Sequence, residues 1–174
     1  MKIFILDSSS LITPYRTYYS PNIVPTFWKK LEETIKKGIV CTIDKVMEEV
    51  KQGDDELKAW FSEVFSPIPP VPFLQRKDTD SLFAFEEWGE YKKVISWAME
   101  AAQYSEDAKY EFSDYNKADA FLVAFCKAHG LILVTEEKYN PEIKKRIPIP
   151  NACEALGVKY ISLFELMEKV GIIL

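Results

Sequence analysis

The first dozen residues, MKIFILDSSSLI, hold an unbroken apolar run, Ile3, Phe4, Ile5 and Leu6, that stops at Asp7. A run without alternation reads as a strand buried on both faces, as in a parallel sheet. IVCTI at 39–43, LILV at 131–134 and VKYI at 158–161 read as further short strands. Between them the apolar positions recur at helical spacing: Val24, Phe27, Trp28, Leu31 and Ile35, then Ile43, Val46, Met47 and Val50, then Leu57, Trp60, Phe61 and Val64 from Asp54 onward. A long helix is predicted from Asp80 to Gln103, bent near Gly89, with Val94, Ile95, Ala98, Met99 and Ala102 facing the core. NKADAFLVAFCKAHG is apolar almost all round and predicts a buried helix ending at Gly130. NACEALG predicts a short helix, and SLFELMEKV a terminal one with Ser162 and Glu165 in capping-box spacing. Strands alternating with helices imply right-handed parallel units, hence an α/β fold. SPIPPVPF at 66–73 suits only a short edge strand. TPYRTYYSPN reads as turn-rich, and the acidic SEDAKYEFSD as a loop or frayed turn.

A chain of 174 residues, 48% hydrophobic, can bury one substantial core and predicts a single domain over 1–174. No apolar run approaches a membrane span, and the N-terminus opens on a core strand instead of a charged and then apolar leader, so no membrane and a cytoplasmic location are expected. Cys41, Cys126 and Cys153 lack CxxC spacing and read as reduced core residues. His129 is the lone histidine, which excludes a histidine-based metal site. The net charge of -5 argues against a broad basic surface for nucleic acid. The tight basic cluster is Lys144, Lys145 and Arg146. Arg16 lies among Tyr15, Tyr18 and Tyr19, a mixture that suits stacking on unpaired bases or, more simply, an aromatic loop packed on the surface.

What changes the picture is where the acids fall. Asp7 ends the first strand, and in open α/β sheets the ligand crevice lies beyond the carboxyl ends of the strands. LILV ends in Thr135, Glu136 and Glu137. On the helix DKVMEEVKQG, at 100° per residue, Glu48 points away from the apolar stripe while Glu49 sits on its shoulder. Asp119 is the acid within the buried helix. Each has a structural alternative: Asp7 and Ser8–Ser10 as caps of the next helix, Asn116 and Asp119 as a capping box. Four carboxylates converging on one crevice would repel, since a pair about 4 Å apart costs on the order of 4 kcal/mol at an effective dielectric near 20. With no Lys or Arg in these motifs placed to neutralise them, Mg²⁺ or Mn²⁺ with oxygen ligands is expected. Carboxylate-bound metal without a nucleophilic side chain points to activation of water for in-line attack on phosphorus.

The series ILDSSSLI, VMEEV, KADAFLVAFCKAHG and LILVTEE resembles the PIN domain of ribonucleases and VapC-type toxins. The ending IPNACEALGVKYISLFEL resembles a PIN-like subfamily of bacteria and archaea, so the likeness runs over nearly the whole chain. The resemblance implies a single PIN-like domain, a three-layer α/β/α sandwich with a central parallel sheet of order 3-2-1-4-5. It carries the family's acids onto Asp7, Glu49, Asp119 and Glu137 as metal ligands and catalytic residues, with Ser9 and Thr135 as the accompanying polar residues on the substrate side. Glu137 stands where the family usually has Asp, which weakens the case for a second metal. Arg16, Lys144, Lys145 and Arg146 are the candidate phosphate contacts. The resemblance further implies single-stranded RNA as substrate and, for toxin members, an antitoxin protein and a homodimer as partners.

The expectation is a metal-dependent endoribonuclease, with the toxin of a toxin-antitoxin pair as its more specific form. The alternative from another class is a non-catalytic PIN-like module that binds RNA or a protein. A phosphatase or receiver-like domain is a third, distinguishable by an acyl phosphate on aspartate.

Overall fold

The computed structural model describes residues 3–53, 55–65 and 82–174. In chain order the elements are β1 (Phe4–Leu6), α1 (Ser9–Arg16), α2 (Pro25–Lys36), β2 (Val40–Cys41), α3 (Asp44–Lys51), α4 (Asp55–Phe65), α5 (Leu82–Glu100), α6 (Glu106–Phe112), α7 (Asp119–His129), β3 (Ile132–Val134), α8 (Ile149–Leu156), β4 (Tyr160–Ile161) and α9 (Leu163–Val170). The strands pair in parallel in the order β2-β1-β3-β4, flanked by helices. This corrects the expected five-strand sheet to four strands among the described residues. The edge strand assigned to 66–73 lies outside them, and 3-2-1-4-5 without that strand leaves the observed neighbours.

The apolar runs form central strands because both faces are covered: Phe4, Ile5, Leu6, Leu133 and Val134 are all buried. The helical stripes dock as their spacing dictates. Trp28 of α2 meets Trp60 of α4 edge to face at 4.7 Å, while Tyr91 of α5 stacks on Phe121 of α7 at 4.3 Å. Buried side chains from Phe4 to Ile172 make one continuous cluster. Gly130 takes the left-handed conformation that ends α7 (φ 62°), so β3 can start two residues later.

Three segments differ from expectation. SEDAKYEFSD contains α6: Ser105 accepts the Ala108 amide at 3.3 Å, Glu106 and Asp107 favour the first turn, and Ala108 and Phe112 are buried. The apolar face is two residues wide, too little to stand out as a period. Thr13–Arg16 belong to α1 and not to a turn, since Pro14 removes one rung of a helix that ends two residues later. α8 begins at Ile149, ahead of NACEALG, because Pro148 and Pro150 fit its first positions, where an amide hydrogen is not required.

What positions the site is the order of crossing. The chain leaves β1 for β2 on one side and returns to β3 on the other, so a topological switch point lies between β1 and β3. Leu6 pairs with Val134 there, and the next residues are Asp7 and Thr135.

Candidate active site at the β1/β3 switch point

The hydroxyls that follow β1 do not cap α1. Its N-cap, Ser8, makes no side-chain capping bond. Thr42 Oγ1 donates to the Leu6 carbonyl at 2.8 Å, and Ser10 Oγ to the Val134 carbonyl at 2.8 Å, beside the Asp7 amide that donates to the same carbonyl at 2.9 Å. Ser9 Oγ donates to Asp7 Oδ2 at 2.5 Å and Thr135 Oγ1 to the same oxygen at 3.0 Å. Those two hydroxyls in turn accept the amides of Glu136 and Glu137. Ser9 and Thr135 were expected on the substrate side. Here both hydroxyls donate to Asp7 and so position its carboxylate.

Asp7 is 2% exposed. Burial pushes its carboxyl up to about 6, the Ser9 bond resists, the Glu137 charge raises it, Thr135 lowers it and the Glu49 charge raises it again. Asp119 is held well above the carboxylate range by burial and then by the charges of Asp7, Glu137 and Glu49, with Lys117 opposing. The four acids singled out by motif therefore share one electrostatic neighbourhood, although they come from the residue after β1, from α3, from α7 and from the segment after β3.

Their hydrogen bonds are unequal. Glu49 is part-buried on α3 while Glu48 is exposed, as the helical phase required. Glu49 accepts the Ala118 amide at 2.8 Å and Ser8 Oγ at 2.9 Å, so it, and not an Asn116–Asp119 capping box, serves the N-terminus of α7. Asn116 turns to Asp114 instead. Glu137 accepts the Ile149 amide at the start of α8 at 2.8 Å and Arg146 Nη2 at 2.5 Å. Glu136 accepts the Leu163 amide at the start of α9 at 2.8 Å and the Tyr18 hydroxyl at 3.3 Å. Carboxylates suit helix N-termini, where amide hydrogens lack partners. Asp119 alone of the four has no hydrogen bond or ion pair among the described residues. It lines a cleft of about 500 Å³ together with Glu49, Glu111, Lys117 and Arg146.

A basic residue from outside the acid motifs does reach one of the four acids. Arg146, nine residues beyond Glu137, folds back on it because the loop between β3 and α8 reverses, tied by Asn151 Oδ1 to the Asn140 amide at 3.0 Å and by Asn151 Nδ2 to the Asn140 carbonyl at 2.8 Å. Arg146 stands out in the sequence only as one of a basic cluster and Asn151 only as part of a short helix; that Arg146 reaches Glu137 and that Asn151 ties the loop are visible only once the loop closes. Lys144, Lys145 and Arg16 are exposed and make no ion pair with a described residue. Tyr19 stacks on Phe27 at 4.7 Å and Tyr15 packs edge-on to Trp28 at 5.8 Å, which is the packed-aromatic alternative. His129 lies at the far end of α7 from Asp119, 2.8 Å from Glu87. Burial pushes the Cys153 thiol up to about 12, so it is no nucleophile.

Residues 4–174 match the family described as Domain of unknown function (DUF4411). The chain belongs to that family. No curated protein matches this DUF4411 chain.

As the side chains stand, no group of three or more His, Cys, Asp or Glu among the described residues is arranged to hold a metal ion. Three of the four acids are turned toward serine, threonine, amide or guanidinium donors. The donor chemistry nonetheless fits a hard divalent cation: all ligand atoms are oxygen, and Asp119 has no donor while three neighbouring acids oppose its charge.

Proposed function

We propose that this chain is a PIN-like endoribonuclease that hydrolyses single-stranded RNA with Mg²⁺ or Mn²⁺. The observation that carries the reading is the mutual charge of Asp7, Glu49, Asp119 and Glu137 at the β1/β3 switch point, with Asp119 unpartnered on the wall of a polar cleft. Asp7 and Asp119 would hold the ion, with Glu49 and Glu137 as further oxygen ligands. When bound, the ion lowers the pKa of water and offsets charge developing on phosphate oxygens. The chain's own residues do the rest. Ser9 and Thr135 fix the Asp7 carboxylate, and Lys117 and Arg146 on the cleft wall receive the substrate phosphate. The attacking water gives up one proton as its oxygen bonds to phosphorus and the bond to the leaving ribose oxygen breaks, and the leaving oxygen takes one proton up, so that the step balances. The resemblance to PIN domains supports RNA as the substrate and, for the toxin form, an antitoxin and a homodimer; a small antitoxin-like reading frame beside the gene is the test of that form.

A second reading, a non-catalytic RNA- or protein-binding module, is favoured by the full engagement of Glu49 and Glu137 with protein donors. End-labelled unstructured RNA incubated with the protein in EDTA, Mg²⁺ or Mn²⁺ separates the two. Metal-dependent fragments that disappear with Asp7→Asn and Asp119→Asn are expected. RNA retained uncut under all three conditions would refute the enzyme.

A further inference from the structure

Arg146 is a cation that the acid cleft already contains. Its guanidinium donates to Glu137 Oε1 at 2.5 Å, and it lines the cleft with Glu49, Asp119 and Glu111. Glu111, on the same cleft wall, is held below the usual carboxylate range chiefly by its hydrogen bond and ion pair with Lys117, with the Arg146 charge adding the smallest part. The pair is only part-buried, 51% exposed on the arginine side chain and 19% on the glutamate, so it can open without stranding a charge in an apolar core. Glu137 would keep the Ile149 amide as a partner on its other oxygen when the arginine leaves.

We infer that Arg146 is a built-in counter-ion that competes with a divalent cation for Glu137, and that metal binding releases its guanidinium toward the phosphate of a bound strand. The inference rests on the proposed metal site and adds a residue that sets its affinity. Two like charges cannot share one carboxylate at contact distance without loss of binding, whereas a released guanidinium facing the cleft is suited to phosphate by its planar donor fork. The free protein then holds metal weakly, and metal and RNA assist one another.

The test uses the full chain and Mn²⁺ alone. Mn²⁺ binding, followed by loss of the free-ion electron paramagnetic resonance signal, is compared in the parent, Arg146→Ala and Arg146→Lys proteins. Removing the competing charge is expected to tighten Mn²⁺ binding about five- to tenfold in Arg146→Ala, from a part-exposed ion pair and the nearby repulsion. Arg146→Lys should stay near the parent. In parallel, ¹⁵N-labelled parent protein is titrated with Mg²⁺, and the Arg146 side-chain signal, identified by its absence in Arg146→Ala, should move toward the position of a solvated guanidinium. Parent protein that binds Mn²⁺ while Arg146→Ala binds it no tighter would overturn the inference and leave the metal site standing. Absence of Mn²⁺ binding in every protein would overturn both. An Arg146 signal unmoved by saturating Mg²⁺ would equally exclude displacement.

Discussion

Replacing Asp7 by Asn separates a carboxylate that serves a ligand from one that holds the fold. Burial and the charges of Glu137 and Glu49 raise the Asp7 carboxyl from its ordinary 3.8 to about 6, net of the opposing bonds from Ser9 and Thr135. A raised acid binds its proton more tightly in the folded than in the unfolded chain. Ionised Asp7 therefore subtracts stability above pH 6, and that stability returns as pH falls from about 6 toward 3.8. The difference is worth about 3 kcal/mol at most at neutral pH, and part of it is shared with Asp119, whose own carboxyl Asp7 pushes upward. Asparagine keeps an oxygen for the two hydroxyls and carries no charge. Asp7→Asn should thus be more stable than the parent by about 1–3 kcal/mol in EDTA at pH 7.5, a rise of roughly 2–4 °C per kcal/mol for a chain of this size. The gap should close by pH 4. In Mg²⁺ at a hundred times its dissociation constant the parent should gain about 2.7 kcal/mol by linkage and the variant little. Thermal melts of both proteins at two pH values, with chelator and with Mg²⁺, supply all the comparisons. A variant less stable than the parent in EDTA at pH 7.5, yet raised equally by Mg²⁺, would mean that Asp7 holds the switch point together and not a metal.

Glu49→Ala should cost about 1–3 kcal/mol in EDTA, because the Ala118 amide and Ser8 hydroxyl lose their acceptor, and Glu49→Gln should cost less; urea melts measure both. Replacing Lys144 and Lys145 by Ala should reduce the log-log salt dependence of single-stranded RNA binding by about 0.7 for each phosphate they neutralise, and an unchanged slope in a filter-binding series would return them to a solvated loop. Ser162→Ala breaks the reciprocal bonds with Glu165 that start α9 and should cost about 0.5–2 kcal/mol by denaturant titration, with Mg²⁺ affinity unaltered.

Much of the fold is legible in the chain because it depends on local periods. The unbroken runs at Phe4–Leu6 and Ile132–Val134, the stripes of α2, α3 and α4, the stop at Gly130 and the capping box at Ser162 each follow from spacing that a single strand or helix must satisfy. So does the choice of Glu49 over Glu48, a matter of 100° on one helix. Short or weakly patterned segments were not legible: α6 has two buried apolar residues and reads as an acidic loop until its Ser105 cap and its packing are seen. The assignment of partners belonged wholly to tertiary structure. Nothing local tells Ser9 to hold Asp7 with Thr135, 126 residues away, or Glu49 to serve the first amides of α7, or Arg146 to fold back on Glu137. Those pairings are set by strand order and loop closure, which bring together residues distant in the chain, and a carboxylate's chemistry depends on the donors and charges that arrive beside it.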